Sequence, residues 1–197
     1  MIVRVFYNGK AFPNVLYVVL HNREVAMTIK KDSVTKLLDV DGEIIGYNIL
    51  IDTYEGKTDG YQVMSYPLLR LINTEIFRTF AEELIHDFTS YIVVGYVEKC
   101  EDHPDSNHLH VCKVRIGDTN HIQIVCGAKN VRQDIKVVVC LQNAVLADGT
   151  LIKNGKLRGV ESFGMLANAK EIGLKDAEKK GIIILDDKYN VGDTFKE

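Results

Sequence analysis

No stretch of this 197-residue chain stays apolar for the roughly 20 residues that a membrane-spanning helix needs. The opening Met1-Ile2-Val3-Arg4-Val5-Phe6 also lacks the charged-then-apolar order of a signal peptide. Together these absences point to a cytoplasmic protein with no membrane partner. Its four cysteines, Cys100, Cys112, Cys126 and Cys140, contain no CxxC pair and stand 12, 14 and 14 residues apart in apolar or strand-like stretches. In a reducing compartment they read as small buried hydrophobes.

A basic excess is missing too. The net charge is −3; residues 1–90 carry 9 Lys+Arg against 12 Asp+Glu, and residues 91–197 carry 15 against 15. Proteins that grip nucleic acid by non-specific phosphate contacts are usually strongly basic, so any RNA binding here has to come from locally clustered cations and shape. Neither of the glycine-rich phosphate loops, GxxxxGK[ST] or GxGxxG, occurs. No nucleophile-base constellation stands out either, Ser106 lying near His103 and His108 only as a coincidence of one loop. The expectation is a protein with no catalytic residues, no cofactor and no small-molecule substrate.

What is present is an ordinary globular composition, 46% hydrophobic and 26% charged. The length allows one large domain or two small ones, and two fit better. Residues 2–7, 15–21 and 25–29 are strand-like, and 34–40 and 43–51 flank Asp41-Gly42, a hairpin signal of the type I′ kind. The run Val15-Leu16-Tyr17-Val18-Val19-Leu20 is apolar on both strand faces, which predicts a central strand covered on both sides. Ile76, Phe77, Phe80, Leu84, Ile85 and Phe88 recur at helical spacing and predict a helix over 74–88, capped by Asn73 or Thr74. Residues 1–90 therefore read as an α+β domain, with an irregular loop over 52–66 carrying Gly56 and Gly60.

Around residues 86–90 the periodicity changes from 3.6 to 2 without a Gly-, Pro- or Ser-rich linker, which predicts two domains packed together. Beyond it, short strands are expected at 92–99, 109–116, 122–126, 136–141, 164–167 and 182–185. Turn signals punctuate them at Gly117-Asp118, Asp148-Gly149 and Asn154-Gly155. Many short strands with almost no helix indicate a small closed barrel or a sandwich.

Four blocks in this half resemble one family. They are His103-Pro104-Asp105, Leu109-His110-Val111-Cys112-Lys113-Val114, Ile124-Val125-Cys126-Gly127-Ala128-Lys129-Asn130-Val131, and Lys156-Leu157-Arg158-Gly159-Val160-Glu161-Ser162-Phe163-Gly164-Met165-Leu166. In this order they resemble the EMAP II-like tRNA-binding domain, found at the N-terminus of the bacterial phenylalanyl-tRNA synthetase β chain and in stand-alone tRNA-binding proteins. The match covers residues 91–197. With some 90 residues added in front, the whole chain resembles the YtpR-type stand-alone proteins. The resemblance implies an all-β OB-fold barrel over 91–197, binding to the folded outer corner of tRNA, and no catalysis. Some stand-alone members act as homodimers.

The residues themselves offer a site. Residues 148–159 concentrate Lys153, Lys156 and Arg158 with a single acid, and a loop on a barrel can present such cations to an RNA backbone. The bland alternative is a solvated hairpin. A second patch comprises Lys129, Asn130 and Arg132, where Asn130 can equally serve as a turn residue with positive φ. Ser162 and Met165 fall on the family's S-x-G-M signature and are expected to complete the tRNA-binding surface, while Gly164 serves backbone geometry. Phe163 departs from the pattern, standing where the family usually has a polar residue. Burial against a neighbouring domain or subunit accounts for it better than stacking on a base. Asn168 departs as well, from a small residue such as serine. His108, His110 and Cys112 share one strand face near His103, but their spacing fits no zinc pattern. The rival to tRNA binding is a protein-interaction module that has lost RNA binding and docks a partner through the N-terminal sheet or Phe163.

Overall fold

The computed structural model describes residues 1–52, 58–175 and 180–196. The chain divides into two compact units, Met1–Phe88 and Thr89–Glu197.

The first unit is mainly strand. β1 (Arg4–Tyr7), β2 (Val15–Val19), β3 (Met27–Lys31), β4 (Val34–Leu38), β5 (Ile44–Leu50) and β6 (Gly60–Gln62) form one antiparallel sheet in the order β3-β4-β5-β2-β1-β6. One helix, α1 (Tyr66–Phe80), lies on one face of it. The expected α+β domain is thus weighted heavily toward strand, with a single helix on its sheet among the described residues. Strand alternation sends Val3, Val5, Leu16, Val18, Val34, Tyr47 and Ile49 inward, where they meet Leu68, Ile72 and Ile76 of the helix.

β2 does lie inside the sheet, but only Leu16 and Val18 of it are buried. Val15, Tyr17 and Val19 on its other face are half-buried, so the strand is not sealed on both sides as expected. Strands β4 and β5 pair across the Asp41-Gly42 turn. Here Gly42 alone of that pair has positive φ, +80°, and its N–H bonds Asp39 C=O. The connection is a type I turn closed by a glycine bulge rather than type I′. Asp39 holds it, accepting from the N–H groups of Asp41 and Glu43 and from Arg23.

The helix begins eight residues earlier than its apolar spacing predicted and ends at Phe80. Ser65 caps it by accepting from Leu68 N–H, and Pro67 sits in the first turn, where no backbone donor is needed. Ala81 stops it in a left-handed conformation, φ +56°. Asn73, expected as the cap, is mid-helix, and its amide both donates to Leu84 C=O and accepts from Leu84 N–H. That bracket pins the extended segment after the helix, so Leu84 is buried while Phe77 and Ile85 stay 63% and 76% exposed. Inside the unit, Lys36 points toward the helix over the Phe80 ring and pairs with Glu82, which also accepts from Tyr47 Oη. Of the expected loop over 52–66, Gly56 lies outside the described residues and Gly60 opens β6.

The described residues of the second unit are strand and turn. β7 (Ile92–Asp102), β8 (His110–Arg115), β9 (His121–Cys126), β10 (Ile135–Cys140) and β13 (Met165–Leu166) form a curved sheet in the order β13-β10-β7-β8-β9, with β14 (Ile184–Leu185) also on β10. A small hairpin of β11 (Gly155–Leu157) and β12 (Val160–Ser162) precedes β13. The sheet comes close to closing on itself. At the seam, Phe163 N–H donates to Gln123 C=O, Gln123 Nε2 donates to Glu161 C=O, and Val125 N–H donates to Ser162 Oγ, all across to β9. Val97, Val114, Ile124, Val137 and Val139 fill the interior with Cys112 and Cys126. Cys140 lies in a second cluster with Val138, Ala144 and Ile152. Burial raises the Cys112 and Cys126 thiols and pushes Cys140 up to about 12, so these sulfurs act as apolar packing.

Candidate nucleic-acid interface

Strand register decides which loops share an end of the barrel. Asp102 pairs with His110 and His110 with Cys126, so the loop after β7, the start of β8 and the loop after β9 all meet at one edge. The His103-Pro104-Asp105 loop and the segment carrying Lys129 both leave from that edge.

The hairpin β11–β12 is brought to the same place. Its turn is Arg158-Gly159 rather than the expected Asn154-Gly155, and both central residues have positive φ, +46° and +84°. This is the two-residue type I′ geometry expected at Asp41-Gly42, found instead where a non-glycine residue must adopt it. The tip is clamped. Arg158 Nη1 donates to Asp105 C=O at 3.1 Å, and His103 Nε2 lies 3.1 Å from Leu157 C=O. Because Asp105 N–H donates to His103 Nδ1, the ring carries its proton on Nε2, which makes Nε2 the donor to Leu157. His103 is 4% exposed. It is a structural pin, and among the described residues no group of three or more His, Cys, Asp or Glu side chains is placed to hold a metal.

The expected site residues fall into two sets. Lys129, Arg132, Lys153, Lys156 and Arg158 are exposed. Among the described residues Lys129, Arg132 and Lys153 make no ion pair, and Lys156 meets its cross-strand neighbour Glu161 at 3.6 Å in a solvent-exposed pairing worth little. Lys153 stands at the base of the hairpin, two residues before β11.

Asn130, Ser162 and Met165 make contacts within the protein. Asn130 has no positive φ; its amide donates to Ile182 C=O and accepts from Ile182 N–H, tying the loop after β9 to the strand region near the C-terminus. Ser162 is 3% exposed, accepts from Val125 N–H and donates to Gly164 C=O. Met165 packs against the cluster around Val138 and Cys140. Gly164, at φ +127°, has no room for a Cβ, which would sit 2.6 Å from Cys140 C=O. The S-x-G-M segment is therefore the seam of the barrel. Phe163 is 37% exposed.

One cluster escaped sequence reading. Lys113 and Arg115 of β8 and His121 of β9 converge on a single acid, Glu98, at 3.3, 3.2 and 3.0 Å, and Arg115 also lies over the Tyr96 ring. Hydrogen bonding from His121 first, then Lys113, outweighs burial and holds the Glu98 carboxyl below its usual range. The two-residue step from Lys113 to Arg115 was the available signal, since it places both on one strand face, but their shared acid is on another strand.

Residues 92–194 match the family model described as "Putative tRNA binding domain". The chain is 39% identical over 198 residues to the "Putative tRNA-binding protein YtpR" of Bacillus subtilis, covering 97% of this chain and 98% of that one. It is 54% identical over 86 residues to the phenylalanine–tRNA ligase beta subunit of Latilactobacillus sakei, covering 44% of this chain and 11% of that one. Among solved structures, a MetRS-related protein from Pyrococcus horikoshii aligns with 51% of this chain and 84% of its own, with 26% identity and a TM-score of 0.38.

Proposed function

The chain belongs to the tRNA-binding-domain family, and from that membership we propose that its barrel is an OB fold that binds folded tRNA without transforming it. The observation that carries the reading is the clamped hairpin tip: Arg158 is anchored to the His103–Asp105 loop at the same barrel edge from which Lys129 departs. OB folds use the face of their second and third strands and the loops beside it. Here those strands are β8 and β9, with Lys113, Arg115 and His121 outward. Lys129, Arg132, Lys153, Lys156 and Arg158 then contact phosphates at the rim, while Asn130, Ser162 and Met165 hold the backbone that presents them. Residues 1–90 form a separate domain in this reading.

Fluorescence anisotropy with bulk tRNA tests it. Lys156→Ala with Arg158→Ala should weaken binding and make the salt dependence shallower by about two units of slope, one for each phosphate contact removed. Equal affinity for tRNA and for a perfect RNA duplex of the same length would overturn recognition of folded tRNA.

The outer face of α1 favours a second reading as a protein-docking module. Tyr66, Leu69, Arg70 and Phe77 line an open groove of about 730 Å³ there. Capture of a partner protein that survives ribonuclease treatment, with no tRNA binding by the pure chain, would favour that reading over the first.

A further inference from the structure

The sheet of the first unit has a second face, away from α1, and its composition is unlike that of a surface that merely meets water. The register aligns one residue from each of the six strands in a single row: Lys30, Thr35, Asn48, Tyr17, Phe6 and Tyr61. Directly opposed residues in antiparallel strands share a face. The alternation that sends Val5, Leu16 and Tyr47 under the helix therefore turns this row outward. Three adjacent strands supply aromatic rings, with Phe6 and Tyr61 at 5.7 Å between centroids. Phe12, 58% exposed in the loop before β2, adds a fourth. Between Phe12, Tyr17, Lys30, Thr35 and Asn48 lies a cavity of about 300 Å³.

We propose that this face holds unpaired nucleotides of RNA. The rings of Tyr17 and Phe12 offer stacking surfaces to a base, which are indifferent to sequence because every base has a π face. The Asn48 amide carries both donors and an acceptor for a base edge, the Thr35 hydroxyl supplies another of each, and Lys30 is a point charge for a phosphate. A surface built for an apolar protein partner would gain nothing from the Asn, Thr and Lys end of the row. Asp32 lines the same cavity beside Lys30, so the grip runs on stacking rather than charge. That separates it from the barrel edge, whose proposed contacts are cations. This inference rests on the tRNA reading only for the kind of RNA involved: the barrel takes the folded body, and this sheet takes a stretch that is not base-paired.

The test uses the full chain and a fluorescent, unstructured oligouridylate. Binding is expected, with weak salt dependence. Phe12→Ser, in an exposed loop, and Tyr17→Val, which retains a strand-forming residue, should each weaken it by about tenfold. The Lys156→Ala, Arg158→Ala protein should still bind the oligonucleotide while losing tRNA affinity, which keeps the two readings separable. Three results would overturn the proposal: no oligouridylate binding, binding lost with the hairpin cations yet retained by Phe12→Ser and Tyr17→Val, or displacement by uridine monophosphate as effective as by the strand. Loss of tRNA binding alone would overturn the barrel reading and leave this one standing.

Discussion

A hydroxyl whose donor and acceptor sides are both engaged inside the protein has little left for a ligand, and Ser162 is in that position between Val125 N–H and Gly164 C=O. Its replacement strands a buried backbone donor, so Ser162→Ala should lower stability by about 1–3 kcal/mol in urea titration. The tRNA affinity of the protein that remains folded should hold. Asn130 and His103 are similar, since each completes backbone groups of a distant segment. Arg158 is the opposite case. At φ +46° it occupies a conformation that costs a side-chain-bearing residue of order 1 kcal/mol. Arg158→Gly should therefore leave the melting temperature unchanged or raised while tRNA binding weakens. A fall in both would mean that the bond to Asp105 C=O, rather than the charge, is what the arginine supplies.

At the scale of elements, the segment that follows the helix carries two of the first unit's acid-sensitive groups. His86 accepts a hydrogen bond from Val3 N–H and is held below the usual histidine range, chiefly by burial. Glu82 is pulled up by burial but more strongly down by hydrogen bonds from Lys36 and Tyr47, and ends below its ordinary 4.5. Both folded values are lowered, so both contributions are complete above the unfolded values and fade as pH falls through the folded ones. Acidification should cost stability first below about 6.5 through His86 and again below 4.5 through Glu82. His86→Gln should flatten the first step in urea midpoints measured against pH, and Glu82→Gln the second. The helix itself shows what sequence patterning can and cannot carry. Ile76, Phe80 and Leu84 are at helical spacing, yet Leu84 reaches the core from an extended segment that Asn73 holds in place, a long-range bond that spacing does not reveal. Ser65 and Pro67 are start signals of the ordinary kind, but the apolar spacing that located the helix begins only at Ile76 and so did not reach them. In the second unit the strands of the main sheet were legible because alternation and turn glycines agree, whereas the β11–β12 hairpin was not, its turn being expected at Asn154-Gly155. The clamp of Arg158 to Asp105 was not, because it joins residues 53 apart.

Over the whole molecule, the two units have separate cores, each assembled from its own strands. Residues 89–197 produced alone should therefore fold and keep salt-sensitive tRNA binding, while the full chain should gain affinity for tRNA with an accessible unpaired stretch; gel-shift titration of both proteins checks this. The uneven charge, 9 cations against 12 acids in residues 1–90 and 15 against 15 beyond, predicts that the isolated second unit shows at least as steep a salt dependence as the whole chain. All four thiols belong to that second unit, three of them buried and held in the protonated, unreactive form, with Cys100 half-buried beside Cys112. A thiol reagent can label the three only while the barrel is open. The rate at which they are modified is thus a clock for that opening, built into one half of the chain and silent about the other, and a tRNA that closes the barrel edge should slow it.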